Sequence, residues 1–135
     1  MAVGLVPEEE EEKLFKRLVE YYSKIYPGLT FSRKTATLSV KEIGEIYYTY
    51  PGEEAEATAA EKMRHISEAI TGGYSTPIIL LKKKDRMVLL DGHRRVRVAF
   101  SQGLGWKALL LVPSKDTLFG LESMILGKVK DLYGK

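Results

Sequence analysis

Met87-Val88-Leu89-Leu90-Asp91-Gly92-His93-Arg94-Arg95-Val96-Arg97-Val98-Ala99-Phe100 is the stretch around which the rest of the chain is organised. Met87 to Leu90 is a short apolar run of the kind that forms a buried strand, and it stops at Asp91-Gly92. Val96, Ala99 and Phe100 then recur three and four positions apart, the spacing of one helix face, so a helix opens at His93, Arg94 and Arg95. A helix start presents backbone N–H groups and the positive end of the dipole, and Gly92 removes a side chain that would hold a ligand oxygen away. Guanidinium groups in the first turn add donors whose geometry suits phosphate. The stretch predicts a phosphate-binding strand-turn-helix, most naturally for a nucleotide.

Upstream, Pro7 and the glutamates Glu8 to Glu12 read as a helix start, because proline fits the first turn and acids oppose the dipole. Leu14, Leu18, Tyr21 or Tyr22, and Ile25 give that helix one apolar stripe, which Pro27-Gly28 ends. Thr35 to Val40 reads as a strand, and Ser39 with Glu42 is a capping box for a short helical turn from Val40 to Ile46. Tyr47, Tyr48 and Tyr50 suit core cover better than base stacking. Glu53, Glu54 and Glu56 lie in a stretch without apolar periodicity, read as a surface loop from Gly52 to Thr58. Ala59, Met63, Ile66 and Ile70 mark a second amphipathic helix, with His65 an ordinary surface histidine on its flank.

Ile78 to Leu81 and Met87 to Leu90 read as a buried hairpin, whose basic turn, Lys82 to Arg86, is more naturally a solvated tip than a nucleic-acid contact. Trp106 to Val112 is the last buried strand, closed by Pro113. Beyond it Ser114 or Asp116 caps an expected final helix, with Leu118, Leu121, Ile125, Val129 and Leu132 as its stripe. The sum is an α+β domain: a small mixed sheet packed with helices, an N-terminal helix and connection over 1–34, a core over 35–113 and a C-terminal helix over 114–135.

Composition sets limits on chemistry. With 135 residues and 44% hydrophobic residues, one compact domain is expected. The absence of cysteine excludes disulfides, thiolate metal sites and cysteine catalysis. Twenty-one basic and 18 acidic residues leave a net charge of +3, so nucleic-acid affinity does not follow from charge alone; its distribution must decide. No signal peptide or membrane span is legible, and a cytoplasmic protein is expected.

The run Gly92-His93-Arg94-Arg95-Val96-Arg97-Val98-Ala99 resembles the arginine-rich phosphate-binding box of the ParB N-terminal domain, typically Gly-Glu-Arg-Arg-x-Arg-Ala, and with it the ParB/sulfiredoxin superfamily. Asp91-Gly92-His93-Arg94-Arg95 is also similar to the Asp-Gly-His-His-Arg motif of the archaeal free-serine kinases that share this fold. The likeness runs from about Thr35 to Pro113. Sulfiredoxins place their catalytic cysteine where Gly92 stands here, so their activity is excluded. ParB proteins bind CTP and DNA but carry Glu at the position of His93 and need a helix-turn-helix domain after this one, whereas a single helix is expected after Pro113.

The kinase resemblance implies a catalytic glutamate before the second helix. Counting back from Thr71-Gly72 gives Glu56, with Glu53 and Glu54 close enough to exchange with it. The roles implied are Glu56 as general base, Gly92, His93, Arg94 and Arg95 as phosphate ligands, and Asp91 as an orienting or Mg²⁺-shell carboxylate that also suits a helix cap. The expected function is an ATP- or ADP-dependent phosphotransferase or phosphohydrolase using Mg²⁺, acting on a small hydroxyl-bearing substrate. A DNA-associated ParB-like module or nuclease-type domain competes with it, as does a nucleotide sensor without turnover. Either terminal helix is also a candidate for homo-oligomer contacts.

Overall fold

Four apolar residues in a row, Ile78 to Leu81, demand a strand buried on both faces, and the computed structural model places them at the centre of the sheet. It describes residues 5–49 and 56–133, the side chains of Glu56 and Ala57 excepted. The described residues form helices α1 (Glu8–Ile25), α2 (Val40–Gly44), α3 (Glu56–Ile70) and α4 (His93–Ser101). The strands are β1 (Phe31–Leu38), β2 (Tyr47–Thr49), β3 (Ile78–Lys82), β4 (Met87–Asp91), β5 (Trp106–Pro113) and β6 (Ile125–Lys128), in the order β1-β5-β3-β4-β2-β6. β5 runs parallel to β3, and β4 parallel to β2; the remaining pairs are antiparallel. The result is a single α+β domain with a mixed sheet.

Alternation along the inner strands divides the core in two. Ile78, Leu80, Ala108 and Leu110 face α2 and α4, where Ile43, Val96 and Ala99 meet them, and Ile79, Leu81, Leu109 and Leu111 face α1, where Phe15 and Tyr22 do. Both faces of β3 and β5 are therefore dry, which accounts for unbroken apolar runs where a half-exposed strand would alternate.

Several boundaries move. β1 spans Phe31–Leu38, starting earlier than the expected Thr35, and gives way to Ser39, whose capping box with Glu42 is formed as the spacing predicts. Tyr47 to Thr49 is a strand that the sequence reading missed, because three residues are too few for a period to show. α3 begins at Glu56, inside the expected loop. On α1 the buried face is Glu11, Phe15 and Tyr22, while Tyr21 and Ile25 are exposed, so the stripe lies rotated from the one expected.

The final helix is a correction. Gly120–Met124 and Val129–Leu132 are short 3₁₀ turns, and Ile125–Lys128 between them is β6. Its pairing, Tyr47 with Lys128 and Tyr48 with Gly127, covers an edge of β2 that would otherwise expose unpaired backbone groups. Gly120 and Gly127 weaken any helix there by about 1 kcal/mol each, and Leu118 of the expected stripe is 79% exposed. Among the described residues no helix is long and apolar enough to cross a membrane.

Candidate functional site at the start of α4

β4 delivers the chain to Asp91, and Gly92 turns it into α4 with φ 108° and ψ 30°, a left-handed conformation that costs glycine little. A Cβ on Gly92 would stand 2.6 Å from Ile78 Cγ2 and 3.4 Å from Ile78 Cα. The missing side chain therefore serves the close approach of β3, a structural reason that the ligand-based expectation overlooked. The first helical bond runs from Val96 N–H to the Gly92 carbonyl at 2.9 Å. The N-cap residue is Gly92, which has no side chain to cap the helix, so Asp91 is not in the cap position. The N–H groups of His93 and Arg94 lie in the first turn of the helix, at the positive end of its dipole.

That start faces a cavity of about 160 Å³ lined by Asp91, Gly92, His93, Arg94 and Arg95 with Val6, Ile66 and Tyr74. A second cavity of about 180 Å³ lies on the other side of His93 and Arg94, with a mainly apolar wall of Tyr48, Leu89, Val96, Val129 and Leu132 and with Arg97 at its border. His93 and Arg94 form the partition between them.

His93 Nε2 lies 3.2 Å from the Thr49 carbonyl. A carbonyl only accepts, so Nε2–H donates and a neutral ring keeps Nδ1 as an acceptor. Burial lowers the His93 pKa, opposed by that hydrogen bond and by the Asp91 charge. A neutral imidazole is a poor anion ligand, and what His93 offers a phosphate is its backbone N–H.

Arg95 meets different partners from the phosphate expected for it. Its guanidinium is 4% exposed as a residue and donates from Nη1 to the Pro77 carbonyl at 2.6 Å. Nη2 donates to Asp91 Oδ2 at 3.0 Å and to Glu11 Oε2 at 3.1 Å. The Trp106 indole N–H donates to the Thr76 carbonyl at 2.7 Å next to this contact. Arg95 thus ties α4 to α1 and to the entry of β3, and it turns Asp91 along the cavity wall.

Glu11 is the residue that sequence reasoning missed. The sequence places it with its neighbours in an acidic helix start that opposes the dipole, yet it is 1% exposed. A signal was present: Glu11, Phe15, Leu18 and Tyr22 are spaced four, three and four apart, which puts the glutamate on the apolar face. Burial first, and then a hydrogen bond with the Asp91 carboxyl, push the Glu11 pKa up to about 8 against the pull of Arg95.

Glu56 is the first residue of α3, but its side chain, like the whole of Glu53 and Glu54, lies outside the described residues. Thr49, the last described residue before 50–55, accepts from His93 on the cavity wall. Ile66, ten residues along the same helix, lines the cavity about 15 Å from Glu56 along the axis. Among the described residues no group of three His, Asp or Glu side chains is arranged to hold a metal.

A basic cleft of about 360 Å³ lies at the hairpin end of the sheet, lined by Lys34, Lys82, Lys83, Lys84 and Lys115 with Ser114 and Asp116. Lys83 is committed there to Glu122 at 2.8 Å, which leaves Lys34, Lys84 and Lys115 as its exposed cations. No protein-family model matches the chain, and a comparison with curated proteins returns no match.

Proposed function

We propose that this chain is a nucleotide-binding protein of the ParB/sulfiredoxin fold that transfers or hydrolyses a terminal phosphate of ATP or ADP carried with Mg²⁺. The observation that supports it most is that α4, whose N-cap is Gly92, starts on the wall of a cavity bordered by Asp91 and Arg94. In this reading the N–H groups of His93 and Arg94 and the Arg94 guanidinium hold a phosphate. Arg95 supports the site from within. The cavity suits a phosphate group and is small for a whole nucleotide, since ligand pockets usually span about 300–1,000 Å³. The apolar cavity across His93 and Arg94 adds room for the remainder of the ligand.

Mg²⁺ that arrives with phosphates needs only one or two protein carboxylates, and Asp91 supplies one at the cavity wall. Glu56 is the base proposed for transfer to a small hydroxyl-bearing substrate, taking the proton of the accepting hydroxyl.

Thermal unfolding with ATP, ADP, CTP and inorganic pyrophosphate, each with Mg²⁺, tests the reading. A ligand present at a hundred times its dissociation constant adds about 2.7 kcal/mol of stability. Arg94→Ala is expected to lose most of that gain, and Glu56→Gln to keep it while losing phosphate release or transfer. A chain that none of these compounds stabilises would not be a nucleotide-binding protein. The basic cleft favours a second reading, a DNA-associated module, in which duplex DNA binds with an affinity that falls steeply as salt rises. Binding of DNA with no response to any nucleotide would select it.

A further inference from the structure

We propose that the apolar cavity between α4 and the C-terminal segment binds a compact apolar carboxylate, an aromatic or branched-chain acid whose body fills the cavity and whose charge pairs with Arg97. The cavity holds about 180 Å³ between Tyr48 on β2, Leu89 on β4, Val96 on α4, and Val129 and Leu132 in the last 3₁₀ turn. An apolar protein cavity of about 150 Å³ takes up benzene, so one ring or a short branched chain is the size that fits. Arg97 supplies the charge at its border. The Nε of Arg97 is buried and bonds nothing, and among the described residues no carboxylate pairs with its guanidinium. Other buried or half-buried arginines are matched: Arg86 with Glu122 at 3.6 Å, and Arg95 with Glu11 and Asp91.

The elements that frame the cavity bring only two acids of their own, Asp91 on β4 and Asp131 in the last turn, and both are engaged. Asp91 is held by Arg95 at 3.0 Å, and Asp131 accepts from the Lys128 backbone N–H at 3.0 Å. A guanidinium beside an apolar wall without a counter-ion carries an unmet charge, and a carboxylate meets it with charge-assisted hydrogen bonds from Nη1 and Nη2. The far wall is firmly set. Val129 is fully buried and donates from its N–H to the Ile46 carbonyl at 2.8 Å, while Lys128 and Lys130 both grip Glu45 at 2.7 Å. Tyr133 Oη donates to the Arg97 carbonyl at 3.1 Å, and its ring lies 5.5 Å from that of Phe100. Leu132, 39% exposed, forms the rim. A preformed site spares a small ligand the cost of ordering it. The nucleotide reading above gives this cavity to the remainder of ATP; on that reading the acid excludes ATP and leaves pyrophosphate binding untouched across the His93–Arg94 partition.

Titration of ¹⁵N-labelled chain with benzoate, benzamide and acetate tests the site. Benzoate at millimolar concentration should shift the backbone amides of Val96, Arg97, Val129 and Leu132 saturably. It should bind about tenfold or more tighter than benzamide, which has the ring without the charge. Acetate, with the charge and no ring, should bind no better than benzamide. Arg97→Gln should bring benzoate down to the level of benzamide, and Leu132→Trp, filling the cavity from its rim, should weaken both ring compounds. Equal affinity of the wild type for benzoate and benzamide, or a preference for benzoate that survives Arg97→Gln, would overturn the role of Arg97. Amides that stay still at those four residues, or shifts led by Lys82 to Lys84, would remove the site. Competition separates this proposal from the nucleotide reading. Benzoate that weakens ATP but not pyrophosphate supports both, and benzoate binding without any nucleotide binding keeps the acid site and removes the nucleotide. ATP binding without benzoate binding removes the acid site alone, and simultaneous binding of the two overturns their mutual exclusion.

Discussion

Gly92→Ala is expected to destabilise the folded chain by about 3 kcal/mol, combining the strain of a left-handed alanine with the overpacking of an occupied site. The methyl group would enter at φ 108° and meet Ile78 at 2.6 Å, and the nearby Ile78 Cα keeps the collision from being relieved by a rotamer change alone. For a domain of this size the thermal midpoint should fall by about 10 °C. A loss under about 1 kcal/mol in urea unfolding would mean that β3 and the turn separate easily, and the cavity would then lack the rigid floor assigned to it. Larger side chains should do more harm than alanine.

Arg95→Ala is expected to cost about 3–5 kcal/mol, the usual penalty for leaving a buried partner without its charge. Removing the guanidinium leaves Glu11 facing Asp91 and takes away the donor to the Pro77 carbonyl. Arg95→Lys should restore little, because one ammonium cannot reproduce a planar fork that reaches carboxyls and a carbonyl from two nitrogens. Replacing Glu11 and Arg95 together by leucine should cost less than Arg95→Ala, since no orphaned carboxylate of α1 remains. Urea unfolding of the three variants measures this. If Arg95→Ala unfolds within 1 kcal/mol of the wild type yet abolishes phosphate binding, Arg95 is a ligand-binding group and the internal role given to it is wrong.

The difference between Arg95 and Arg94 marks where sequence reading stops. Local signals were legible: the apolar runs of β3, β4 and β5, the Ser39–Glu42 capping box, and the switch from strand to helix at Gly92 all depend on neighbours within four residues. In the sequence Arg95 groups with Arg94 because both lie in the same helical turn. What separates them is Glu11, 84 residues away in sequence, and no local pattern contains that contact. The C-terminal segment failed in the same way. Its apolar residues do recur at helical spacing, but Val129 is buried against α2 and α4 while β6 pairs with a three-residue β2, and that pairing overrides the period. A glycine at 92 suggests room for a ligand in the sequence, but the nearest atoms to its missing side chain are those of Ile78.

The most direct measurement is a titration of ¹⁵N-labelled chain with ATP and Mg²⁺, following every backbone amide. A phosphate seated at the start of α4 should move the amide resonances of His93 and Arg94 most, saturably and with one dissociation constant, because their N–H groups would bond it. The contradicting result is equally plain: those two amides stay still while Lys82 to Lys84 and Lys115 shift, placing the anion in the basic cleft at the other end of the sheet, or no amide moves at all.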